Sequence, residues 1–374
     1  MKSVKILKDD HLLKLTTLSN ILSFHRIVKK ISFFYYVFML QIFVVDVLVI
    51  IFTNQYHLIL TRYIAFGGAS FLSLSNYIIL YHRSYAKMYS SIYYETFPNL
   101  WPLRHVSDID YKRFQSLAKR TITVSLIMAI ATAIAATAAL PWYGNEYNVY
   151  FPVKVAVDYL KNWKLHIYLF LFYSLLYHGG FTVISNLYCF MYMVLHLYNQ
   201  FCMINEKLKM LSEFQNAEDN VVTQELISCI KLHQQLLEFT RRINSMLYFP
   251  IFYYAIGVVI IALSLFLYPI VTLGDLCRMI FTGVIAIFST GGICFLGQLL
   301  ENESEKTFMS ACATKWYLWN RKNKKLLQIF LSMTQKKTVI SSSGIITINY
   351  RLLIGLYRTI YPLMMFLIHI SNTF

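Results

Sequence analysis

Long apolar stretches alternate with polar segments along this chain, and each stretch is close to the ~20 residues with which a helix crosses a bilayer. Seven stretches occur, at residues 32–53, 60–82, 122–141, 166–198, 247–269, 277–300 and 343–370. The pattern predicts an all-α membrane protein with seven transmembrane helices. Because the spans and their connections use most of the chain, residues 1–374 are expected to form one domain.

Two of the connecting segments keep the spacing of an amphipathic helix beyond the membrane. They are 199–245, which a polar stretch at 215–220 interrupts, and 306–337, which alternates charged and apolar positions. Both are therefore predicted to be helical extensions. Two interpretations stay open: the apolar faces pack inside one subunit, or they form a platform that joins subunits. The faces consist of Phe201, Ile204, Leu208, Leu211, Leu226, Ile230, Leu236, Leu237, Phe308, Trp316, Leu318, Leu326, Leu327, Phe330 and Met333.

Lysine and arginine are concentrated before the first span and in the gaps after the second, fourth and sixth spans. These segments hold seven, seven, five and eight of the 34 basic residues. Because basic segments are retained in the cytoplasm during insertion, the bias predicts a cytoplasmic amino terminus. With seven spans, the carboxyl terminus is then expected to be extracellular.

Composition narrows the class of partner. The chain is 57% hydrophobic and 14% charged, far from the average of soluble domains. Its net charge of +16 could indicate nucleic acid, but the basic residues flank membrane spans. There they face the anionic inner leaflet, so membrane lipid is the expected partner and nucleic acid is not.

No motif for catalysis or for a cofactor is present. The chain lacks a phosphate-binding loop, a serine-hydrolase elbow and a zinc-protease helix. Its ten histidines are dispersed, and its six cysteines contain no C-x-x-C pair. We therefore expect no enzyme activity, cofactor or metal, and no extracellular disulfide. A transporter or a non-channel membrane scaffold stays compatible with these absences.

The most specific stretch begins near the end of the sixth span. It comprises Gly297-Gln298-Leu299-Leu300-Glu301-Asn302-Glu303-Ser304, then Trp316-Tyr317, then Gln335-Lys336-Lys337, and Gly344 before the last span. This order resembles the insect odorant receptor family. Two positions depart from the family pattern: Lys337 replaces a proline, and Thr359-Ile360-Tyr361-Pro362 replaces a Tyr-Ser-Tyr-like element.

The resemblance implies an odorant-gated, non-selective cation channel in the plasma membrane of olfactory sensory neurons. Family members assemble as tetramers around one pore, usually with the odorant receptor co-receptor. This chain is too short to be that co-receptor, so the resemblance favours the tuning, ligand-binding subunit. It also implies that 301–342 is a cytoplasmic assembly segment and that 343–370 lines the pore. The alternative is a gustatory-type channel, whose seventh-span signature is absent from 343–370.

A small volatile odorant needs an enclosed, mostly apolar site. Small residues facing aromatic residues in the outer halves of the second, third and fourth spans offer such volume, and the resemblance places the family's pocket at this depth. Close helix packing is the competing explanation for the small residues. The candidate ligand residues are Tyr63, Phe66, Ser70, Phe71, Ala135, Ala139, Trp142, Phe172 and Tyr173.

The resemblance also implies which residues of the seventh span line the pore. Phe366 and Ile370 fall on the apolar gate, which closes by excluding water, and His369 falls on the selectivity position. Charges inside the membrane need water or a partner. Arg351, Arg358 and His369 share one stripe of the helix and are expected to face water. A buried pair between Asp46 and Arg358, at similar depth, is the competing account.

Overall fold

The computed structural model describes residues 26–53, parts of 112–134, 151–213, 219–247, 254–260 with 262, and 273–373 except 343 and 345. Within these residues the elements are mostly helices, and the longest are far longer than a bilayer is thick. They are α1 (Arg26–Thr53), α2 (Phe151–Tyr159), α3 (Trp163–Glu213), α4 (Asp219–Met246), α5 (Leu273–Cys312), a 3-10 turn (Trp316–Leu318), α6 (Arg321–Thr334), strands β1 (Ser341–Ser342) and β2 (Ile346–Thr347), and α7 (Tyr350–Thr373).

The predicted helical extensions are confirmed. Helix α3 has 51 residues, which is about 77 Å of helix against a hydrocarbon core of about 30 Å. It ends at Glu213, beside the predicted polar break, and α4 begins at Asp219. Helix α5 likewise continues past residue 300 to Cys312, and its part from Gly283 is long and apolar enough to cross a membrane.

The largest hydrophobic core lies among these extensions. Side chains of α3, α4, α5 and α6 pack together there, and Phe201, Leu226, Phe239 and Phe330 are fully buried. The interpretation that the apolar faces pack inside one subunit is therefore confirmed for Phe201, Leu226 and Phe330. It does not hold for the 3-10 turn, where Trp316, Tyr317 and Leu318 are exposed. We name this core and its helices the cytoplasmic bundle, following the predicted sidedness.

Asparagine side chains fix the start of α6 in the cytoplasmic bundle. Asn320 caps the helix by accepting a hydrogen bond from the Asn323 backbone N–H at 2.8 Å. The buried side chain of Asn323 donates to the Asp219 carbonyl at 3.2 Å and accepts from the Thr223 hydroxyl at 2.6 Å. Since a buried amide must be hydrogen-bonded, these contacts set the position of α6 against the first turn of α4.

The seventh helix begins later than its apolar run, which corrects the expectation for 343–370. Gly344 has a φ of +72°, which closes a turn between β1 and β2. β-Branched residues then form the second strand, and α7 starts at Tyr350. The Asn349 side chain accepts a hydrogen bond from the Arg351 backbone N–H at 3.0 Å. An apolar run alone did not separate strand from helix, because both are apolar here.

Candidate ligand site and pore helix

Helix α7 contacts the rest of the protomer along a single stripe. Its partly buried side chains recur every four residues, and the other side chains described in α7 are exposed. These partly buried residues are Leu352, Leu356, Ile360 and Met364. A helix that spans a bilayer with most of its surface uncovered must meet lipid, a neighbouring chain or water on the remaining faces.

The charged stripe of α7 lies opposite this contact stripe. At 100° per residue, Arg351, Arg358 and His369 share one direction, about 160° from the mean direction of the contact stripe. All three side chains are exposed, and Phe366 is 60% exposed. The side chain of Ile370 lies outside the described residues.

Two further features of α7 concern Arg358. Pro362 stands inside the helix and has no N–H to offer the Arg358 carbonyl four residues earlier. A carbonyl freed in this way at membrane depth needs water or a protein partner. Among the described side chains, Arg358 forms no ion pair, and the side chain of Asp46 lies outside them.

Phe172 and Tyr173, two of the candidate ligand residues, lie together in a buried aromatic cluster. Phe172 is 0% exposed, and its ring centroid is 6.3 Å from that of Tyr168 and 5.6 Å from that of Tyr173. Ile42 of α1 and Val153 of α2 complete the buried part. We name these four buried residues, Phe172, Tyr173, Ile42 and Val153, with Phe38, Val157, Tyr168 and Leu169 packed against them, the outer cluster.

The outer cluster has a polar edge one helical turn further along α3. The Tyr35 hydroxyl donates to the Ser174 hydroxyl at 3.0 Å, and the Tyr35 and His178 ring centroids are 4.9 Å apart. An apolar wall with a few fixed polar groups is typical of sites for small organic ligands. The remaining candidates, Tyr63, Phe66, Ser70, Phe71, Ala135, Ala139 and Trp142, lie outside the described residues.

Sequence reasoning missed the contribution of α1 and α2 to this cluster. The apolar stretches predict no element between residues 141 and 166, yet Val153 and Ala156 of α2 are buried. The signal was present: Pro152 stands in the first helical turn, and Val153, Ala156 and Val157 have helical spacing. Phe38 and Ile42, also four residues apart, gave no sign that they would face α3 rather than lipid.

Comparisons with known proteins agree with this architecture. The family model described as "7tm Odorant receptor" matches residues 60–361. A putative odorant receptor 83c of Drosophila melanogaster is 26% identical over 146 residues, which are 38% of this chain and 36% of that protein.

Two solved structures of the insect olfactory receptor OR5 from Machilis hrabei have the same fold. One superposes with a TM-score of 0.71 at 10% identity, over 93% of this chain and 90% of that one. The other, in complex with eugenol, gives 0.73 at 9% identity, over 99% and 100%. The predicted all-α seven-helix fold is confirmed. The match to the odorant receptor family model favours that family over the gustatory receptor type. The chain belongs to the seven-transmembrane odorant receptor family.

Proposed function

We propose that this chain is the odorant-binding subunit of a ligand-gated, non-selective cation channel. In this proposal it assembles with the odorant receptor co-receptor, as a tetramer in the plasma membrane of olfactory sensory neurons. Residues 301–342 would contribute to assembly in the cytoplasm. The observation that carries the proposal is the surface of α7, which is uncovered except for one stripe.

The charge on that surface favours a pore over lipid. A cationic side chain facing hydrocarbon is costly, and such residues inside membranes usually face water or a partner. Arg351 and Arg358 are exposed on the face of α7 opposite the contact stripe, and a water-filled passage shared by several subunits would hydrate both. Phe366 lies between this stripe and the contact stripe, a position from which a ring of bulky side chains can exclude water.

Arg358 and Asp46 provide the test of this pore assignment. If Arg358 faces water, Arg358→Ala reaches the cell surface in normal amount and alters cation conductance. If it pairs with Asp46, either Arg358→Ala or Asp46→Ala impairs surface delivery, and exchanging the two charges restores part of it. An Arg358→Ala channel that is delivered and conducts as wild type contradicts the water-facing assignment.

The outer cluster is the proposed wall of the odorant site. Its stacked and edge-on aromatic rings offer apolar contact, and Tyr35, Ser174 and His178 offer polar contact at one edge. In the proposal Phe66 and Trp142 complete the site from the second span and the outer loop. A receptor with this fold has been solved with eugenol bound.

The experiment is co-expression with the co-receptor, a screen of volatiles, and concentration–response curves for variants. Phe172→Leu and Tyr173→Phe change buried side chains of the outer cluster, and Phe170→Leu is the matched control because Phe170 is 74% exposed on the same helix. We expect about a tenfold rise in agonist EC50, equivalent to ~1.4 kcal/mol of binding free energy, for at least one buried change and none for the control.

Two outcomes count against the proposal at different levels. Delivered pairs that give no odorant-evoked cation current exclude the channel and return the chain to the transporter or scaffold class. Currents with unchanged EC50 values in Phe172→Leu and Tyr173→Phe keep the channel and exclude the outer cluster as the odorant site.

A further inference from the structure

The linker between α6 and α7 is fastened to α4 and α5 by side chains. Asn244 of α4 accepts a hydrogen bond from the Ser341 N–H at 3.0 Å and donates to the Val339 carbonyl at 3.2 Å. Ser304 of α5 accepts from the Thr338 N–H at 3.0 Å. These contacts join positions 34 to 97 residues apart in sequence, so tertiary structure rather than local preference holds the linker in place.

The base of α7 is held against α5 at closer range. Glu301 accepts a hydrogen bond at 2.9 Å from the side-chain amide of Asn349, which is 4% exposed. The side-chain oxygen of Asn349, Oδ1, accepts a hydrogen bond from the Arg351 N–H in the first turn of α7. Gln298 accepts from the Tyr350 N–H at 3.4 Å. Asn349 therefore connects the end of the linker, the first turn of α7 and α5 in one residue.

We infer that Glu301 and Asn349 are positioning residues for gating, which hold the base of α7 fixed on α5. This inference rests on the proposed channel function. With its base fixed, α7 passes a displacement of the helix bundle on to its outer end, where Phe366 lies. With its base released, part of the displacement is lost as movement at the base, and more agonist is needed to open the pore.

The chemistry of the contact explains why this pair fits the role. A hydrogen bond to a carboxylate is stronger than one between neutral groups. Beyond the base, the partly buried side chains through which α7 contacts its protomer are apolar: Leu352, Leu356, Ile360 and Met364. Apolar contacts are not directional, so they allow α7 to slide or tilt. The hydrogen bonds of Asn349 do not allow this at the base.

Four variants in the co-expressed channel separate this role from simple structural support. Asn349→Ser keeps a cap for the first turn of α7 but cannot reach Glu301. Glu301→Ala removes the acceptor, whereas Glu301→Gln keeps one. The matched control is Glu305→Gln, since Glu305 also joins α5 to the linker, through an exposed ion pair with Lys337.

A charge exchange provides the rescue. Asn349→Asp alone places two carboxylates together, and combining it with Glu301→Gln restores an amide-to-carboxylate hydrogen bond of reversed direction while Asp at 349 can still cap α7. We expect agonist EC50 to rise about five- to tenfold in Asn349→Ser, Glu301→Ala and Asn349→Asp, the range of typical coupling effects. The exchanged pair, Glu301→Gln alone and the Glu305→Gln control should stay within about twofold of wild type.

The measurements are EC50 and maximal current divided by surface amount. A structural role lowers surface amount in all variants and leaves EC50 unchanged, and this result overturns the inference. Equal EC50 shifts in the exchanged pair and in Asn349→Asp also overturn it. Wild-type pairs without odorant-evoked current refute the proposed function itself, whereas a conducting wild type with unshifted variants refutes only the positioning role.

Discussion

Gly297 lies where α5 crosses the chain just before α7, and it leaves no room for a side chain. A Cβ at this position would stand 2.0 Å from the Ile348 carbonyl oxygen, whereas ordinary contacts begin at 3.4 Å. The obstacle is backbone, so it cannot rotate away. Gly297→Ala therefore requires α5 and the linker to separate by about 1.4 Å, a distance that breaks well-packed contacts.

The loss of unfolding free energy in Gly297→Ala can be judged from the contacts that this separation disturbs. Overpacking of this kind typically costs ~1–3 kcal/mol. Here it also strains the hydrogen bond that the Ile348 N–H donates to the Ile340 carbonyl at 2.9 Å. Alanine gains about 1 kcal/mol over glycine from helix propensity. Gly291→Ala receives the same gain on the same helix with nothing within 4 Å of the new Cβ. Because both variants receive the helix-propensity gain, it cancels, and they should differ by the overpacking cost of roughly 1–3 kcal/mol in unfolding free energy.

The assay is the apparent melting temperature of the detergent-solubilised receptor, followed by size-exclusion fluorescence, together with surface amount in cells. At about 1.3 °C per kcal/mol for a chain of 374 residues, Gly297→Ala should melt ~1–4 °C below Gly291→Ala, and less of it should reach the surface. Equal melting temperatures for the two variants would show that the α5–linker contact is looser than its geometry indicates, and the reasoning would be refuted.

Three further predictions concern titratable groups and sidedness. Burial between Phe201 and Phe330 lowers the pKa of His233 from 6.5 to about 4, so the unfolded chain takes up a proton that the folded chain resists. The contribution of His233 to the free energy of unfolding is thus full above about pH 6.5 and falls from there towards pH 4, by ~2 kcal/mol between pH 7.5 and 5. His233→Leu should therefore make the melting temperature depend less on pH. The same slope of melting temperature against pH in wild type and variant would contradict this prediction. The exposed Cys312 should react with a membrane-impermeant maleimide only after the cells are permeabilised. Cys229 should stay unlabelled, because it is buried and burial raises the pKa of its thiol to about 12. If intact cells are labelled, and Cys312→Ser abolishes that labelling, Cys312 is extracellular and the predicted sidedness is reversed. His369→Gln should alter cation conductance or selectivity, because a polar side chain at a narrow point of a pore contacts the permeating ions, and a delivered variant that conducts as wild type would exclude exposure of His369 to the pore.

Much of the fold could be predicted from the sequence because the bilayer acts on local composition. An apolar run of sufficient length must be helical in lipid, where each backbone polar group needs an internal partner. The extent of α3 and the break before α4 therefore followed from periodicity and polarity, whereas the end of α5 at Cys312, inside the predicted extension 306–337, did not. The faces of α4 and α6 followed for the same reason, since Leu226 and Phe330 lie on apolar stripes.

The tertiary structure decided what depends on contacts between distant segments. Only it showed that residues 341–347 form a hairpin, that α2 covers Phe172, and that α7 keeps most of its surface uncovered. The contact of Glu301 with Asn349 joins residues 48 positions apart, and no local pattern marks which asparagine will meet which carboxylate. Composition determines where a helix is stable, because the free energy of forming a helix in lipid depends on the residues of that segment. Partners depend on how helices are arranged, because hydrogen bonds and close approaches such as Gly297 on Ile348 require particular atoms within a few ångströms.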